Sequence, residues 1–182
     1  MSAPSNIART WVQPTEPRSI RKRLAAVGVV VAVFAAWSQV HGWQKSHALV
    51  INQTESLPNW AFMVDLGRMP VRGDYVLFAP PLDPLVVKHF GAKPQPFAKI
   101  VYGVAGDVVT RKGAIVSVNG KPVGRLKPFS RQGEPLAAGP VGTIPRGCYY
   151  AGSPHKDGFD SRYAAIGFVC RRAIVGVGSP IL

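Results

Sequence analysis

The clearest feature of the hydrophobic pattern is an uninterrupted apolar run near the N-terminus. Residues 24–40 read LAAVGVVVAVFAAWSQV, with no charged side chain and only two polar residues near the end. A membrane-spanning helix needs about 20 apolar residues, with roughly 17 as the lower limit. Extension through Trp43 reaches that length, and Trp37 and Trp43 are of the residue type enriched at membrane interfaces. The pattern predicts one transmembrane anchor over residues 24–43.

Positive charge is concentrated on one side of this run. Only Lys45 and nearby histidines follow it. The residues that precede it include Arg18, Arg21, Lys22 and Arg23. Because basic segments stay on the cytoplasmic side, residues 1–23 are expected in the cytoplasm. Residues 44–182 are then expected on the outer, periplasmic side of a bacterial inner membrane.

Two other interpretations of the run compete with a transmembrane anchor. A buried core helix would be amphipathic, whereas this run is apolar on all sides. A cleavable signal peptide would share the basic start, and residues 36–38 (AWS) resemble a small-x-small cleavage site. The apolar run is longer than the usual core of a signal peptide, which favours a retained anchor. Both membrane interpretations place the rest of the chain outside.

After the anchor, short runs of valine, isoleucine and aromatic residues alternate with glycine, proline, asparagine and aspartate. This pattern is typical of short β-strands. The predicted strands are residues 74–78, 99–104, 107–110, 114–118, 147–151, 165–170 and 173–177.

The connections also favour a β-rich fold. Asn119-Gly120 follows one predicted strand and predicts a type I′ hairpin turn. Residues 79–98 contain five prolines and are expected to form a long loop, as are residues 125–140. No strong helical pattern and no internal repeat follows the anchor. The prediction is a mainly β domain over residues 44–182, preceded by one transmembrane helix.

Charge adds a membrane partner to this picture. The formal net charge is +13, from 22 Lys and Arg against 9 Asp and Glu. Such a chain could bind nucleic acid or anionic lipid. Its basic residues are scattered, apart from the tight group at residues 21–23, and form no aromatic-laced stripe. A solvated basic surface beside anionic lipid is therefore expected, with no nucleic-acid partner.

Cysteine and histidine give no sign of a metal site or a cofactor. Cys148 and Cys170 are the two cysteines, and the four histidines are dispersed without the spacing of metal ligands. In an oxidising compartment the cysteines could form a disulfide. Two small buried hydrophobic side chains are an equally good interpretation.

Candidate catalytic residues lie in three separated segments. Ser56 lies in a polar loop soon after the anchor, and Lys99 begins an apolar strand. Burial lowers the pKa of a lysine from about 10.4 by up to several units, and a neutral lysine can take the proton of a serine hydroxyl. The third segment, residues 152–163, is a polar loop in which Asp160 and Arg162 could pair. Each feature alone is also typical of ordinary loop and surface residues.

The order of these segments after a single anchor resembles the signal peptidase family that uses a serine–lysine dyad. The residues that carry the resemblance are five short boxes, of which the lysine box, Lys-x-x-x-Gly-x-x-Gly-Asp, is the most specific. The boxes are residues 54–58 (TESLP), 72–76 (RGDYV), 99–107 (KIVYGVAGD), 118–123 (VNGKPV) and 158–163 (GFDSRY).

Within the family, the compact conjugative-transfer peptidases of the TraF type are the nearest match, because they share the Ser-x-Pro of Ser56-Leu57-Pro58. Two departures stand out. Trp60 occupies a position where TraF-like boxes usually have glycine. Gly158 occupies the position where general leader peptidases have a serine that orients the lysine. Asp160 is the candidate for that orienting role here.

The resemblance implies a β-rich peptidase that removes the leader of a precursor, with Ser56 as nucleophile and Lys99 as general base. It also implies Thr54 as an oxyanion donor, with Asp160 and Arg162 as supporting residues and no cofactor. For TraF-like enzymes the substrate is a membrane-tethered pilin precursor, and some family members join its ends into a ring.

Three other functions compete with this one. A general signal peptidase would share the dyad and differ in its range of substrates. A non-catalytic, anchored assembly protein of a secretion machine would need no dyad. A serine–lysine autoprotease of the repressor type would share the chemistry, but the anchor and the lack of a DNA-binding helix-turn-helix argue against it.

Overall fold

The computed structural model describes residues 17–52 and 56–181, with side chains from residue 20 onward. The chain divides into two compact units, residues 1–43 and 44–182. The first contains helix α1, Pro17–Gln44. Its Ile20–Gln44 part is long and apolar enough to cross a membrane, and its most apolar stretch is not buried within the protein. At 1.5 Å per residue this part spans about 37 Å, more than the roughly 30 Å of a bilayer core.

The second unit is built from short β-strands, as the sequence predicts. Among the described residues, eleven strands follow α1 together with one short α-helix, α2, and one 3₁₀ turn at Arg171–Ala173. The strands are β1 His47–Ile51, β2 Ala61–Asp65, β3 Tyr75–Phe78, β4 Phe97–Gly103, β5 Val108–Lys112, β6 Ile115–Val118, β7 Lys121–Arg125, β8 Gly142–Thr143, β9 Cys148–Gly152, β10 Val169–Cys170 and β11 Ile174–Pro180. Helix α2 is Pro84–Phe90.

These strands form two antiparallel sheets. The larger sheet has seven strands in the order β1-β2-β11-β3-β4-β9-β10, and the smaller has four in the order β7-β6-β5-β8. Strand β4 lies inside the larger sheet, where it pairs with β3 and β9. The chain reaches the smaller sheet directly after β4. A residue on β4 is therefore flanked by strands on both sides.

Alternation along β4 determines which side chains face the protein interior. Successive residues of a strand point to opposite faces, so residues two apart share a face. The buried residues of β4 are Lys99, Val101 and Gly103. Val101 belongs to a core cluster with Val76, Phe78 and other apolar residues. Lys99 thus occupies a core-facing position of an internal strand.

Most of the predicted strands are confirmed, with boundary shifts of one or two residues for β3, β4, β5, β6 and β9 and of up to three for β11. The predicted hairpin is confirmed as well. Val118 pairs with Lys121, so the turn contains only Asn119 and Gly120. Both have positive φ, 49° and 77°. A type I′ turn requires positive φ at both central positions, which asparagine and glycine tolerate.

The predicted strand over residues 165–170 is wrong for most of its length, since only Val169–Cys170 is a strand. The preceding residues form a turn in which the N–H groups of Ile166 and Gly167 donate to Tyr163 O, and Gly167 has a φ of 63°. Ile166 is nevertheless buried in a core cluster. Its apolar character reflects burial rather than strand pairing.

Helix α2 corrects the expectation of a loop without helix over residues 79–98. The Asp83 side chain caps the helix by accepting from Leu85 N–H at 2.9 Å, and Pro84 occupies its first turn. Proline suits that position because the N–H groups of the first helical turn have no partner within the helix. Gly91, with a φ of 82°, ends it. The number of prolines in this segment obscured a short helix whose start and stop signals were both present.

Cys148 and Cys170 form a disulfide across the β9–β10 pair. The two cysteines are directly opposite in register and 22 residues apart in sequence. The covalent ring therefore contains the entire loop from Ser153 to Arg162. Closing a ring of this length removes conformational freedom from the unfolded chain, which stabilises the folded state by about 3 kcal/mol.

Replacing both cysteines, Cys148→Ser with Cys170→Ser, should lower the free energy of unfolding by about 3 kcal/mol, because the unfolded chain regains that freedom. Urea unfolding of the purified chain in detergent measures the loss. Reductant should lower the stability of the wild-type chain and leave the double variant unchanged. Equal stability of the two oxidised proteins would contradict the prediction.

Candidate active site

The structure places Lys99 in a buried environment that disfavours its charged form. The residue is only 5% exposed, and its Nζ lies 5.7 Å from the centre of the Phe97 ring. Burial lowers the pKa of the Lys99 ammonium to about 8. The charge of Asp160 opposes this change and that of Arg162 adds to it. Near pH 8 a large fraction of Lys99 is therefore neutral and able to accept a proton.

Asp160 and Arg162 form a buried ion pair beside this lysine. Arg162 Nε donates to Asp160 Oδ1 at 2.8 Å and Arg162 Nη2 to Asp160 Oδ2 at 2.9 Å. The backbone N–H groups of Arg162 and Ser153 donate to the same carboxylate. Burial raises the pKa of the Asp160 carboxyl, whereas the charge and hydrogen bonds of Arg162 and the charge of Lys99 oppose the rise. The two residues predicted to pair do so, and the pair is fully enclosed.

Ser56 is half-buried and lies at the start of a turn before β2. The next residue, Leu57, is buried in a core cluster with Phe62 and Leu77. The side-chain amide of Asn52 donates to Leu57 O at 3.2 Å and to Asn59 O at 2.9 Å. Core packing and the asparagine thus fix the backbone that carries Ser56. Thr54, the expected oxyanion donor, lies outside the described residues.

One serine connects these groups, and the sequence did not single it out. Ser153 Oγ donates to the backbone carbonyl of Ser56 at 2.5 Å, and Ser153 N–H donates to Asp160 Oδ2 at 2.9 Å. Arg162 Nη2 donates to Ser153 O at 2.6 Å. Ile100, the neighbour of Lys99, pairs with Gly152, the neighbour of Ser153. Ser153 therefore contacts both the Ser56 backbone and the ion pair.

The described residues show how Asp160 influences Lys99. Within residues 17–52 and 56–181, no hydrogen bond joins Lys99 Nζ to Asp160 or to Ser56. Both oxygens of Asp160 are occupied by N–H donors of Ser153 and Arg162. Asp160 acts on Lys99 through its charge, and the orienting role predicted for it stays a prediction.

A second buried acid joins three of the boxes recognised in the sequence. Arg72 Nη2 donates to both oxygens of Asp107, at 2.8 and 2.6 Å, and Arg72 Nη1 donates to Tyr102 O at 2.7 Å. Asn119 Nδ2 donates to Asp107 Oδ1 at 2.8 Å. The Arg72 hydrogen bonds hold the pKa of the Asp107 carboxyl below its usual value. This cluster fixes the end of the strand that carries Lys99.

An open pocket of about 330 Å³ adjoins the site. Ser153 and Arg162 contribute to its wall, which also includes basic residues at its rim. The lining residues are Gly124, Arg125, Leu126, Lys127, Ser153, Pro154, Lys156 and Arg162. In the described part of the chain, no group of three or more His, Cys, Asp or Glu residues is placed to hold a metal ion.

A family match over nearly the whole chain accompanies the buried lysine and the buried ion pair. The family model described as "Signal peptidase, peptidase S26" matches residues 20–182. The chain belongs to the signal peptidase family. This peptidase family is one of serine endopeptidases, and with the apolar N-terminal helix it indicates anchoring in a membrane.

Solved structures include a similar protein. It is a signal peptidase I from Enterococcus faecalis, with 23% sequence identity and a TM-score of 0.39. The match covers 60% of the present chain and 97% of the Enterococcus faecalis chain. No curated protein matches the sequence.

The burial of the Asp160–Arg162 pair can be tested by replacing the Arg162 guanidinium with a neutral side chain. Arg162→Gln should lower the free energy of unfolding by about 3–5 kcal/mol, because it leaves the Asp160 carboxylate buried without its counter-ion. Chemical unfolding measures the change. The pair Arg68–Asp74 offers a matched control, since its side chains are 46% and 18% exposed, against 2% and 0% for Arg162 and Asp160. Arg68→Gln should cost about 1 kcal/mol or less. Similar losses in both variants would contradict the assignment.

Proposed function

We propose that this chain is a membrane-bound signal peptidase in which Ser56 is the nucleophile and Lys99 is the general base. The observation that carries the proposal is the burial of Lys99 at a core-facing position of β4, with a pKa of about 8. An ordinary lysine is charged at neutral pH and cannot accept a proton from a serine. The family match supports the same class of reaction.

The proposed reaction proceeds through an acyl-enzyme. Neutral Lys99 takes the proton of the Ser56 hydroxyl as the serine oxygen attacks the carbonyl of the scissile peptide bond. The resulting ammonium gives its proton to the leaving amine. Water then attacks the ester carbonyl as Lys99 takes one of its protons, and Lys99 returns that proton to the Ser56 oxygen as the acyl group leaves. The oxyanion is proposed to accept from Ser56 N–H and the Thr54 hydroxyl, and removal of one such donor typically costs about 10²–10³ in rate.

The substrate is proposed to be a membrane-tethered precursor, and specifically the pilin precursor of a conjugative secretion system. Support comes from the Ser-x-Pro form of the nucleophile box, Ser56-Leu57-Pro58, which resembles TraF-like enzymes. If an amine of the substrate replaces water in the second step, the product is a ring. A general signal peptidase would share the site and accept many exported precursors.

The proposed location is the bacterial inner membrane, with the N-terminus in the cytoplasm and residues 44–182 in the periplasm. The basic residues before the apolar helix, including Arg21 and Lys22, support this orientation. Anionic lipid headgroups are the proposed partners of the basic surface, since the net charge is +13.

The pH dependence of cleavage tests the role of Lys99. The base must be deprotonated, so kcat/KM is expected to fall about tenfold per pH unit below a midpoint near pH 8 and to level off above it. A fluorogenic leader peptide assayed in detergent gives the profile. Lys99→Ala should abolish cleavage, whereas Lys121→Ala, at an exposed hairpin position, should retain it. Full activity at pH 6 would exclude Lys99 as the base.

Precursor processing tests the nucleophile and the substrate together. Co-expression of the pilin precursor with the wild-type chain should give a shortened product by intact mass, and co-expression with Ser56→Ala should not. Ser117→Ala, a serine of strand β6 in the smaller sheet, is the matched control and should process normally.

The outcomes separate the competing functions. A product one water lighter than the linear fragment would establish cyclisation. Equal shortening with Ser56→Ala would refute Ser56 as the nucleophile. An uncut pilin precursor together with cleavage of other exported precursors would favour the general signal peptidase.

A further inference from the structure

We propose that Ser153 is a positioning residue whose hydroxyl holds the turn carrying Ser56 against the buried Asp160–Arg162 pair. The inference rests on the catalytic roles proposed above for Ser56 and Lys99. It adds a residue that acts through Ser56 and does not itself touch the substrate.

Every polar group of Ser153 has a hydrogen-bond partner. Its N–H donates to Asp160 Oδ2 at 2.9 Å, and its carbonyl accepts from Arg162 Nη2 at 2.6 Å. Its hydroxyl donates to Ser56 O at 2.5 Å and accepts from His155 N–H at 3.1 Å. The backbone bonds fix the residue on the ion pair whatever its side chain is. Of these groups, it is the hydroxyl that contacts Ser56.

The bond to Ser56 joins two segments that lie far apart in the sequence. Ser153 and Ser56 are 97 residues apart in sequence. Two further restraints act on the residues next to Ser56: Leu57 packs in a core cluster that includes Leu77 and Ile100, and the Asn52 amide donates to Leu57 O and Asn59 O. Lys99 lies on β4, and its neighbour Ile100 pairs with Gly152, the residue before Ser153. The Ser153 hydroxyl therefore adds to the packing of Leu57 a direct bond between the backbone of the proposed nucleophile and the loop that holds the ion pair.

The space around Ser153 is restricted, which keeps its hydroxyl in one place. The side chain is 1% exposed. A Cβ atom added at Gly158 would lie 2.8 Å from Ser153 Cβ and 3.0 Å from Ser153 Oγ. It would also lie 3.0 Å from Asp160 Oδ2. Contacts under 3.0 Å between such atoms force a shift. The Ser153 side chain therefore fills the space that any larger residue at position 158 would need.

The expected effect of Ser153→Ala is a loss of rate without a loss of substrate binding. Small misplacement of a catalytic group costs on the order of 10²-fold, so kcat should fall about 10–100-fold while KM stays within about twofold. The midpoint of the pH profile should stay near 8, because the groups that set the pKa of Lys99 remain in place. Steady-state kinetics of the full chain in detergent, with the fluorogenic leader peptide, give all three quantities.

Gly158→Ala reaches the same contact from the other side. Its Cβ displaces the Ser153 side chain while leaving the hydroxyl in the protein, so a similar fall in kcat is expected. Gly158→Ala also crowds Asp160 Oδ2, so the losses overlap only at the shared Ser153–Ser56 contact. The double variant Ser153→Ala with Gly158→Ala should therefore lose less than the sum of the two single losses in activation free energy. Additive losses would overturn the proposal.

Ser161→Ala is the matched control for a purely structural effect. Ser161 is also fully buried, but its hydroxyl accepts from Ala151 N–H on β9 at 3.0 Å. Both serine variants should unfold at lower urea concentration than wild type, and only Ser153→Ala should lose kcat beyond about threefold. An equal kcat loss in the two variants, an unchanged kcat in folded Ser153→Ala, or a shift of the pH midpoint by more than about half a unit would each overturn the proposal.

The proposal and the proposed function fail in different ways. If Ser56→Ala and Lys99→Ala cleave the peptide as fast as wild type, the catalytic assignment is refuted, and the positioning role falls with it. If those two variants are inactive and Ser153→Ala is fully active, only the positioning role is refuted.

Discussion

The buried ion pair of Asp160 and Arg162 is the interaction on which the site depends. Removing two charges from water costs several kcal/mol each, and only good geometry with further hydrogen bonds offsets that cost. The loop therefore has to fold so that four N–H groups reach the Asp160 carboxylate and Arg162 reaches Ser153 O. That single arrangement places a negative and a positive charge beside Lys99. Burial and the Arg162 charge lower the pKa of Lys99, and the Asp160 charge raises it.

Elements specified by local sequence were predictable. Strands β3 to β6 carry valine and isoleucine over several residues, and the Asn119-Gly120 turn has only one low-energy conformation of the right twist. Strands β1, β2, β7 and β8 were missed. Pro122 and Gly124 in β7 weaken the local signal, and long-range pairing decides the structure there. The short helix α2 was missed because the prolines of residues 79–98 favoured a loop, although the capping residues Asp83 and Gly91 were present in the sequence.

The site was only partly predictable for the same reason. Lys99 between apolar neighbours, and Asp160 two residues from Arg162, were visible as patterns within single segments. The Ser153–Ser56 bond and the Arg72–Asp107 pair join residues 97 and 35 positions apart, and one sequence contains no signal for such contacts. The glycine at position 158 was noticed only as a departure from a family box. The structure explains it as the space taken by Ser153.

The disulfide makes the stability of the site depend on the redox conditions of the compartment in which the protein folds. Everything that surrounds Lys99 from the β9 side, including Ser153, Asp160 and Arg162, lies inside the ring closed by Cys148 and Cys170. Thiols in the cytosol are kept reduced, whereas exported proteins meet oxidants. In the orientation proposed above, a newly made chain would hold the loop from Ser153 to Arg162 less firmly until residues 44–182 reach an oxidising compartment.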